Sequence, residues 1–276
     1  MITGLKYTNS NGATFDFDDS GVYPVPSSVW DWEYEANELN GNIASYSRGS
    51  SNIEIPVSIS SLVDVRAVMD ALYSVAAYDL ARDEAGTLSM GEWSMPAALI
   101  KSEKVGWWRR NGPVEYSLTF HSPSPWWTRP VTHQFARFDD ETGGLDYPHD
   151  YSFDYGVTGG YDFVAVGGSY AADFLLRIYG PASDPNVIIG GNSYMVNVEV
   201  PAGGLLEIDS RAGTVLLKDA QGNATNAFPY APDDGAGSGR YILQQMEPGY
   251  HPVTWDGTFG FDLIVYERRD ERLWEE

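Results

Sequence analysis

The chain predicts a mainly β protein: an N-terminal β domain with one α-helix, followed by a C-terminal antiparallel β-sandwich. Three observations carry this. Apolar and polar residues alternate with period two in short segments through both halves. Twenty-nine glycines and 16 prolines supply the turns between those segments. Only one stretch, after residue 60, has helical spacing.

In the first half, Trp30, Trp32 and Tyr34 alternate with Asp31 and Glu33, and Ile53, Ile55, Val57 and Ile59 alternate with Glu54, Pro56 and Ser58. Both read as strands. Pro56 lacks the N–H that a ladder needs, so its strand is expected at an edge or at a bulge. The helix is expected over about 61–80. Ser61 with Asp64 three residues on resembles a capping box, and Leu62, Val65, Val68, Met69, Leu72, Val75 and Ala76 recur on one face. Short strands are expected near Thr87–Met90 and Ala97–Lys101, then a turn at Asn111-Gly112. In the closing strand, Val114, Tyr116, Leu118 and Phe120 alternate with Glu115, Ser117 and Thr119. Pro123, Pro125 and Pro130 are expected to stop it, leaving Trp126 and Trp127 at the domain edge.

At 276 residues the chain suits two domains of about 130 to 150 residues each. The boundaries read from the pattern are 1–130 for the N-terminal domain, 131–170 for a junction arm or long loop, and 171–276 for the sandwich. The junction mixes acids, glycines and aromatics without a sustained period, and its aromatics favour packing over free disorder. Beyond it the alternation returns in Phe174-Leu176-Ile178, Tyr194-Val196-Val198-Val200, Leu206-Ile208 and Phe259-Phe261-Leu263-Val265. Turns at Gly180-Pro181, Gly190-Gly191-Asn192, Pro201–Gly204 and Gly222-Asn223 separate these segments, as in a small sandwich or jelly roll.

The charge is −22, from 17 basic and 39 acidic residues. Through residue 130 there are nine Lys/Arg and 16 Asp/Glu, a net −7, which leaves −15 for the rest. Such a surface repels phosphates, so specific nucleic-acid binding is not expected. There is no cysteine, hence no disulfide framework and no thiolate chemistry. The segment MITGLKYTNS lacks a basic region followed by an apolar core, and no apolar run approaches spanning length. A soluble chain without membrane insertion is expected.

Chemistry-bearing constellations are incomplete. Asp16, Asp18, Ser20 and Gly21 match the start of a calcium loop, but Ser27 stands where the bidentate glutamate belongs. His121, His133, His149 and His251 share no helical metal spacing. Asp139-Asp140-Glu141 holds carboxylates without the signature of a glycosidase pair. Neither a Gly-x-Ser-x-Gly elbow nor a phosphate-binding glycine loop is present. No enzyme activity, metal or cofactor is expected. The adjacent pairs Trp107-Trp108 and Trp126-Trp127 are the candidate partner contacts, since neighbours in a strand face opposite ways. Trp274, alone in a charged tail, is a further candidate.

The strand ending in PSPWW near mid-chain resembles the end of the N-terminal domain of siphophage distal tail proteins. The segment LLRIYGPASDPNVIIGGNSYMVNVEVPAGGLLEIDSRAGTV, with the later TWDGTFGFDLIVYERR, resembles their C-terminal domain. The order of these pieces carries the resemblance. It implies a hexameric ring built from N-terminal domains at the distal end of a virion tail. The tail tube and the tape-measure protein would be neighbours on one side, and hub, lysin or receptor-binding proteins on the other, with galectin-like sandwiches projecting outward. Six chains at −22 would bring 132 formal negative charges to the channel that DNA crosses. The alternative is a carbohydrate-binding adhesion module, although the His-x-Asn-Pro-Arg and Trp-Gly-x-Glu motifs of sugar-binding galectins are absent.

Overall fold

The structure of the protein, a computed structural model, describes residues 4–18, 21–25, 28–60, 62–105, 113–138, 160–232 and 234–271. It divides into two compact units, Met1–Arg129 with Arg269–Glu276, and Pro130–Arg268.

The first unit contains β1 (Leu5–Thr8), β2 (Thr14–Asp16), β3 (Val22–Pro24), β4 (Glu35–Leu39), β5 (Asn42–Ser47), β6 (Ser51–Ile59), α1 (Val65–Leu80), β7 (Gly86–Met90), β8 (Trp93–Lys104) and β9 (Val114–Ser122). It also holds the start of β10 (Trp127–Phe135). Two sheets share β8. Its first half pairs with β7 in the order β2-β1-β7-β8, and its second half pairs with β9 in the order β3-β6-β9-β8. The register shifts between Leu99 and Lys101, beside Ile100, which faces outward in step with Ser94, Pro96 and Ala98 while Trp93, Met95, Ala97 and Leu99 are buried. Leu5, Tyr7, Ile55, Leu88, Leu118, Phe120 and Trp127 fill the core.

Pro56 lies within β6, which is paired on both sides from Val57 to Ile59. Its carbonyl accepts the Val25 amide at 2.9 Å, so its missing N–H faces the side on which the β3 ladder ends at Pro24. The proline therefore marks the end of one neighbour rather than an edge strand. The helix starts later than expected, at Val65. Asp64 is itself the N-cap, in extended conformation, accepting from the Arg66 and Ala67 amides at 3.0 and 3.3 Å. Ser61 lies outside the described residues, and Leu62 is exposed ahead of the helix. Trp30 closes a short 3-10 turn, Ser28–Trp30, and residues 31–34 run on without strand pairing, so their alternation does not make a strand. The turn expected at Asn111-Gly112 lies outside the described residues.

The second unit continues β10 and adds β11 (Gly160–Val166), β12 (Asp173–Tyr179), β13 (Ala182–Ser183), β14 (Asn186–Ile189), β15 (Asn192–Met195), β16 (Glu199–Val200), β17 (Leu205–Asp209), β18 (Thr214–Lys218), β19 (Ala224–Asn226), β20 (Gly249–Trp255) and β21 (Phe261–Arg269). It is an antiparallel sandwich. One sheet runs β19-β18-β17-β12-β21-β10 and the other β11-β20-β14-β15, with Phe174, Leu176, Ile178, Val187, Val253 and Phe261 among the buried residues of its core. The turn between β14 and β15 uses Gly190 and Gly191 at φ 58° and 86°, a pair of left-handed residues that matches the twist of a two-residue hairpin. Two features differ from the expected junction arm. Pro130 lies inside β10, and residues 160–166 form a strand paired with β20 along its whole length. Asp139, Asp140, Glu141 and His149 lie outside the described residues.

Candidate functional site

The surface feature that the first unit does not use for its own packing is the hairpin β4–β5. Its turn is Asn40-Gly41, at φ 54° and 78°, the residue pair that most readily adopts the left-handed turn joining two strands. All eleven strand residues are exposed, and the pair forms a sheet of its own. Cross-strand partners share a face, which places Ala36 with Tyr46 and Glu38 with Ile43. Ile43 and Tyr46 are three apart and would ordinarily point to opposite faces. The register shift at Asn37/Glu38 inserts an extra residue in β5 and brings both to the same face. On the opposite face Asn37 Nδ2 donates to Ser45 Oγ and Ser47 Oγ at 3.3 and 3.2 Å. That face is polar and internally bonded apart from Leu39 beside the turn, and the other is largely apolar with one carboxylate.

The base of the hairpin is tied down by an aromatic and ionic knot. Arg48 pairs with Asp270 at 2.5 Å, and the Tyr34 hydroxyl donates to the same carboxylate at 2.7 Å. The Arg48 guanidinium lies 5.0 Å from the Trp126 ring centre, and Tyr34 meets Trp126 edge-on at 6.3 Å. Of the candidate contacts read from the sequence, Trp126 is therefore half-buried in this anchor. Trp127 points the other way and is 1% exposed in the core, so its ring offers no surface to a partner. Trp107, Trp108 and Trp274 lie outside the described residues.

A groove of about 520 Å³ runs between α1 and the second half of β8. Met69, Tyr73, Leu80 and Ile100 form its apolar surface, with Tyr73 71% and Ile100 49% exposed. Arg66, Lys101, Lys104 and one carboxylate, Asp70, stand on its rim. Lys101 pairs with Glu103 at 2.9 Å, which raises its pKa above the ordinary lysine value. Among the described residues neither Arg66 nor Lys104 has a carboxylate within ion-pair distance. Burial raises the pKa of Tyr116, under whose ring Lys104 sits at 5.9 Å.

Behind the groove, α1 is fixed by Asp79, a fully buried carboxylate. It accepts the Tyr7 hydroxyl and, at 2.8 Å each, the amide and Oγ of Ser10. Burial, then the hydrogen bond to Asp79, holds the Tyr7 pKa well above the ordinary tyrosine value. Gly86 fits against this carboxylate, since a Cβ there would lie 2.5 Å from Asp79 Oδ2 and from the Thr8 carbonyl.

The remaining candidates serve local structure. Asp16 pairs with Lys6 at 2.7 Å, and Asp18 accepts the Gly4 amide at 2.6 Å. Among the described residues no group of three His, Asp or Glu side chains is placed to hold a metal. His121 meets Asn52 Oδ1 at 2.9 Å and His251 meets the Glu247 carbonyl at 2.6 Å. His133 Nε2 is buried without a hydrogen-bond partner, and desolvation lowers its pKa against the opposing pull of Glu267 and Asp162. In the second unit, Phe163 and Tyr250 share the outer face of β11–β20 through the pairs Phe163–Pro252 and Ala165–Tyr250, and both are exposed.

The fold, a β domain with one helix followed by an antiparallel sandwich, is shared with solved hub and baseplate proteins of phages. The chain superposes on the Dit (gp 19.1) protein of SPP1, a hub adsorption protein of phages infecting Gram-positive hosts, with a TM-score of 0.61 at 10% identity, covering 96% of this chain and 99% of that one. It likewise matches a chain of the phage P2 baseplate in its activated conformation with Ca, with a TM-score of 0.57 at 14% identity over 97% and 98% of the two chains. The same baseplate with Sr gives 0.57 at 13% identity over 97% and 99%. No family model and no curated protein matches the sequence. The resemblance to distal tail proteins thus holds at the level of the fold.

Proposed function

We propose that the chain is a structural subunit of a phage tail tip, six copies of which form a ring that joins the tail tube to the hub and adhesion apparatus. The observation that supports this best is the fold match, which runs through nearly the full length of both chains in each comparison and so includes both units. The exposed hairpin adds a physical reason for assembly. A two-stranded hairpin with both faces in water is only marginally stable, and a neighbouring subunit supplies the missing burial. In this reading the subunit works by binding. The tail tube and tape-measure protein lie on one side, and lysin or receptor-binding proteins on the other, at the distal end of the virion.

The charge of −22 suits a channel wall past which DNA moves without sticking. Scattering and electron microscopy of the concentrated protein should show a closed species near 182 kDa, six times 30.4 kDa. A strict monomer within purified tails, or a two-fold dimer there, would overturn the ring. Duplex DNA should not bind even at low salt, where attraction would be strongest.

Phe163 and Tyr250 favour a second reading, in which the outer face of β11–β20 stacks on a host saccharide. Glycan binding that is lost in Phe163→Ala and Tyr250→Ala while rings persist would support that adhesion role.

A further inference from the structure

We propose that the apolar face of the β4–β5 hairpin docks into the α1–β8 groove of the next copy of the chain. This deepens the ring reading and rests on it. The two surfaces are complementary in shape class and in charge. The hairpin presents Ile43 and Tyr46, 56% and 62% exposed, beside Glu38 on one face, a narrow apolar ridge carrying a carboxylate. The groove offers an apolar floor lined by three basic side chains, Arg66, Lys101 and Lys104, against one carboxylate, Asp70.

The charges point to a copy of this chain as the occupant. The protein holds 17 basic residues against 39 acidic ones, yet Arg66 and Lys104, which have no carboxylate within ion-pair distance among the described residues, flank this one apolar groove. Glu38 on the hairpin likewise has no basic partner among the described residues. Joining the two surfaces pairs these charges and buries apolar side chains that each copy leaves in water. The register shift in β5 makes the ridge by bringing Ile43 and Tyr46 together, and the alternation of β8 leaves Ile100 on the groove side. In the ring the contact is heterologous: each copy gives its hairpin to one neighbour and its groove to the other, and the series closes where the rotation between copies permits.

The sequence has no cysteine, so introduced thiols report on this contact alone. Full-length Ile43→Cys and Tyr73→Cys proteins, with both sites exposed so that the fold is preserved, are treated with a short bismaleimide separately and as a mixture. The expected result is a linked dimer in the mixture only, and a ladder of linked oligomers from the chain that carries both substitutions. In a second arm, Glu38→Lys should weaken self-association roughly tenfold at low salt, and adding Lys104→Glu to the same chain should recover most of it.

Linkage within the Ile43→Cys protein by itself would overturn the proposal. So would rings seen by microscopy without any link in the mixture, an outcome that leaves the ring reading standing. Links in the mixture with a closed species of some number other than six would support the docking and refute the hexamer. Neither links nor assembly at any concentration would refute both.

Discussion

Replacing Asp79 by alanine tests how α1, the helix that forms one wall of the groove, is held to the first unit. The carboxylate is fully buried and accepts three hydrogen bonds, from the Tyr7 hydroxyl and from the amide and hydroxyl of Ser10. Tyr7 is 0% exposed, so in Asp79→Ala its hydroxyl loses its acceptor without access to water, at a cost of about 1–3 kcal/mol. Ser10 is exposed and its two donors rehydrate, so each loses only the net worth of a hydrogen bond, about 0.5–1 kcal/mol. The expected destabilisation is therefore about 2–5 kcal/mol, or a fall in melting temperature of roughly 10 °C for a unit of this size. Urea unfolding followed by tryptophan fluorescence measures it. Tyr7→Phe should cost less, about 1–2 kcal/mol, because the carboxylate keeps its Ser10 donors. Since both changes break the same bond, the double variant should be less destabilised than the sum of the two. Asp79→Ala within about 0.5 kcal/mol of the parent, the range of ordinary surface changes, or strict additivity with Tyr7→Phe, would refute this account.

Three further outcomes follow from the geometry. His133 has a lowered pKa in the folded chain, so the unfolded state takes up its proton first. Stability should fall as pH drops below about 6.5, by at most about 1.4 kcal/mol per pH unit for one proton, and a pH series of melts on His133→Gln should lack that component. Tyr7 and Tyr194 have raised pKa values, Tyr194 through burial while its hydroxyl donates to the Gln244 carbonyl at 2.7 Å. Their stabilising contribution is complete below pH 10 and is lost above it, so absorbance titration should show two tyrosines that ionise only as the protein unfolds. Finally, residues 130–268 expressed alone should melt cooperatively, whereas residues 1–129 alone lack Asp270 and should lose amide protection in β4–β5 first. Equal protection of the hairpin with and without residues 269–276 would refute the role of the Arg48–Asp270–Tyr34 knot.

Much of the scaffold was legible in the residues themselves because its causes are local. The alternation from Val114 to Phe120 gives β9, the repeat from Val65 to Ala76 gives α1, and Gly190-Gly191 gives the hairpin between β14 and β15. In each, side-chain spacing and backbone freedom at a turn set the local conformation without help from distant parts of the chain. The exposed β4–β5 hairpin was less legible. Asn40-Gly41 was a readable turn signal, but the strands beside it are rich in Glu, Asn and Ser, and the extra residue in β5 breaks the period-two pattern that identifies a strand.

Other features had no local signal at all. Asp79 reads in sequence as one more helix carboxylate, and only the packing of β1 against the helix buries it with Tyr7, 72 residues away. Trp126 and Trp127 are the same residue type side by side. One anchors the hairpin and the other fills the core, because the sheet fixes which way each points. Arg48 finds its carboxylate 222 residues later in the chain. Periodicity and backbone preference alone set the β class, α1 and the positions of many turns. Tertiary packing set which charges are buried, which tryptophan fills the core and which apolar face stays exposed, because these depend on long-range strand pairing and on the bulge in β5 that resets its register.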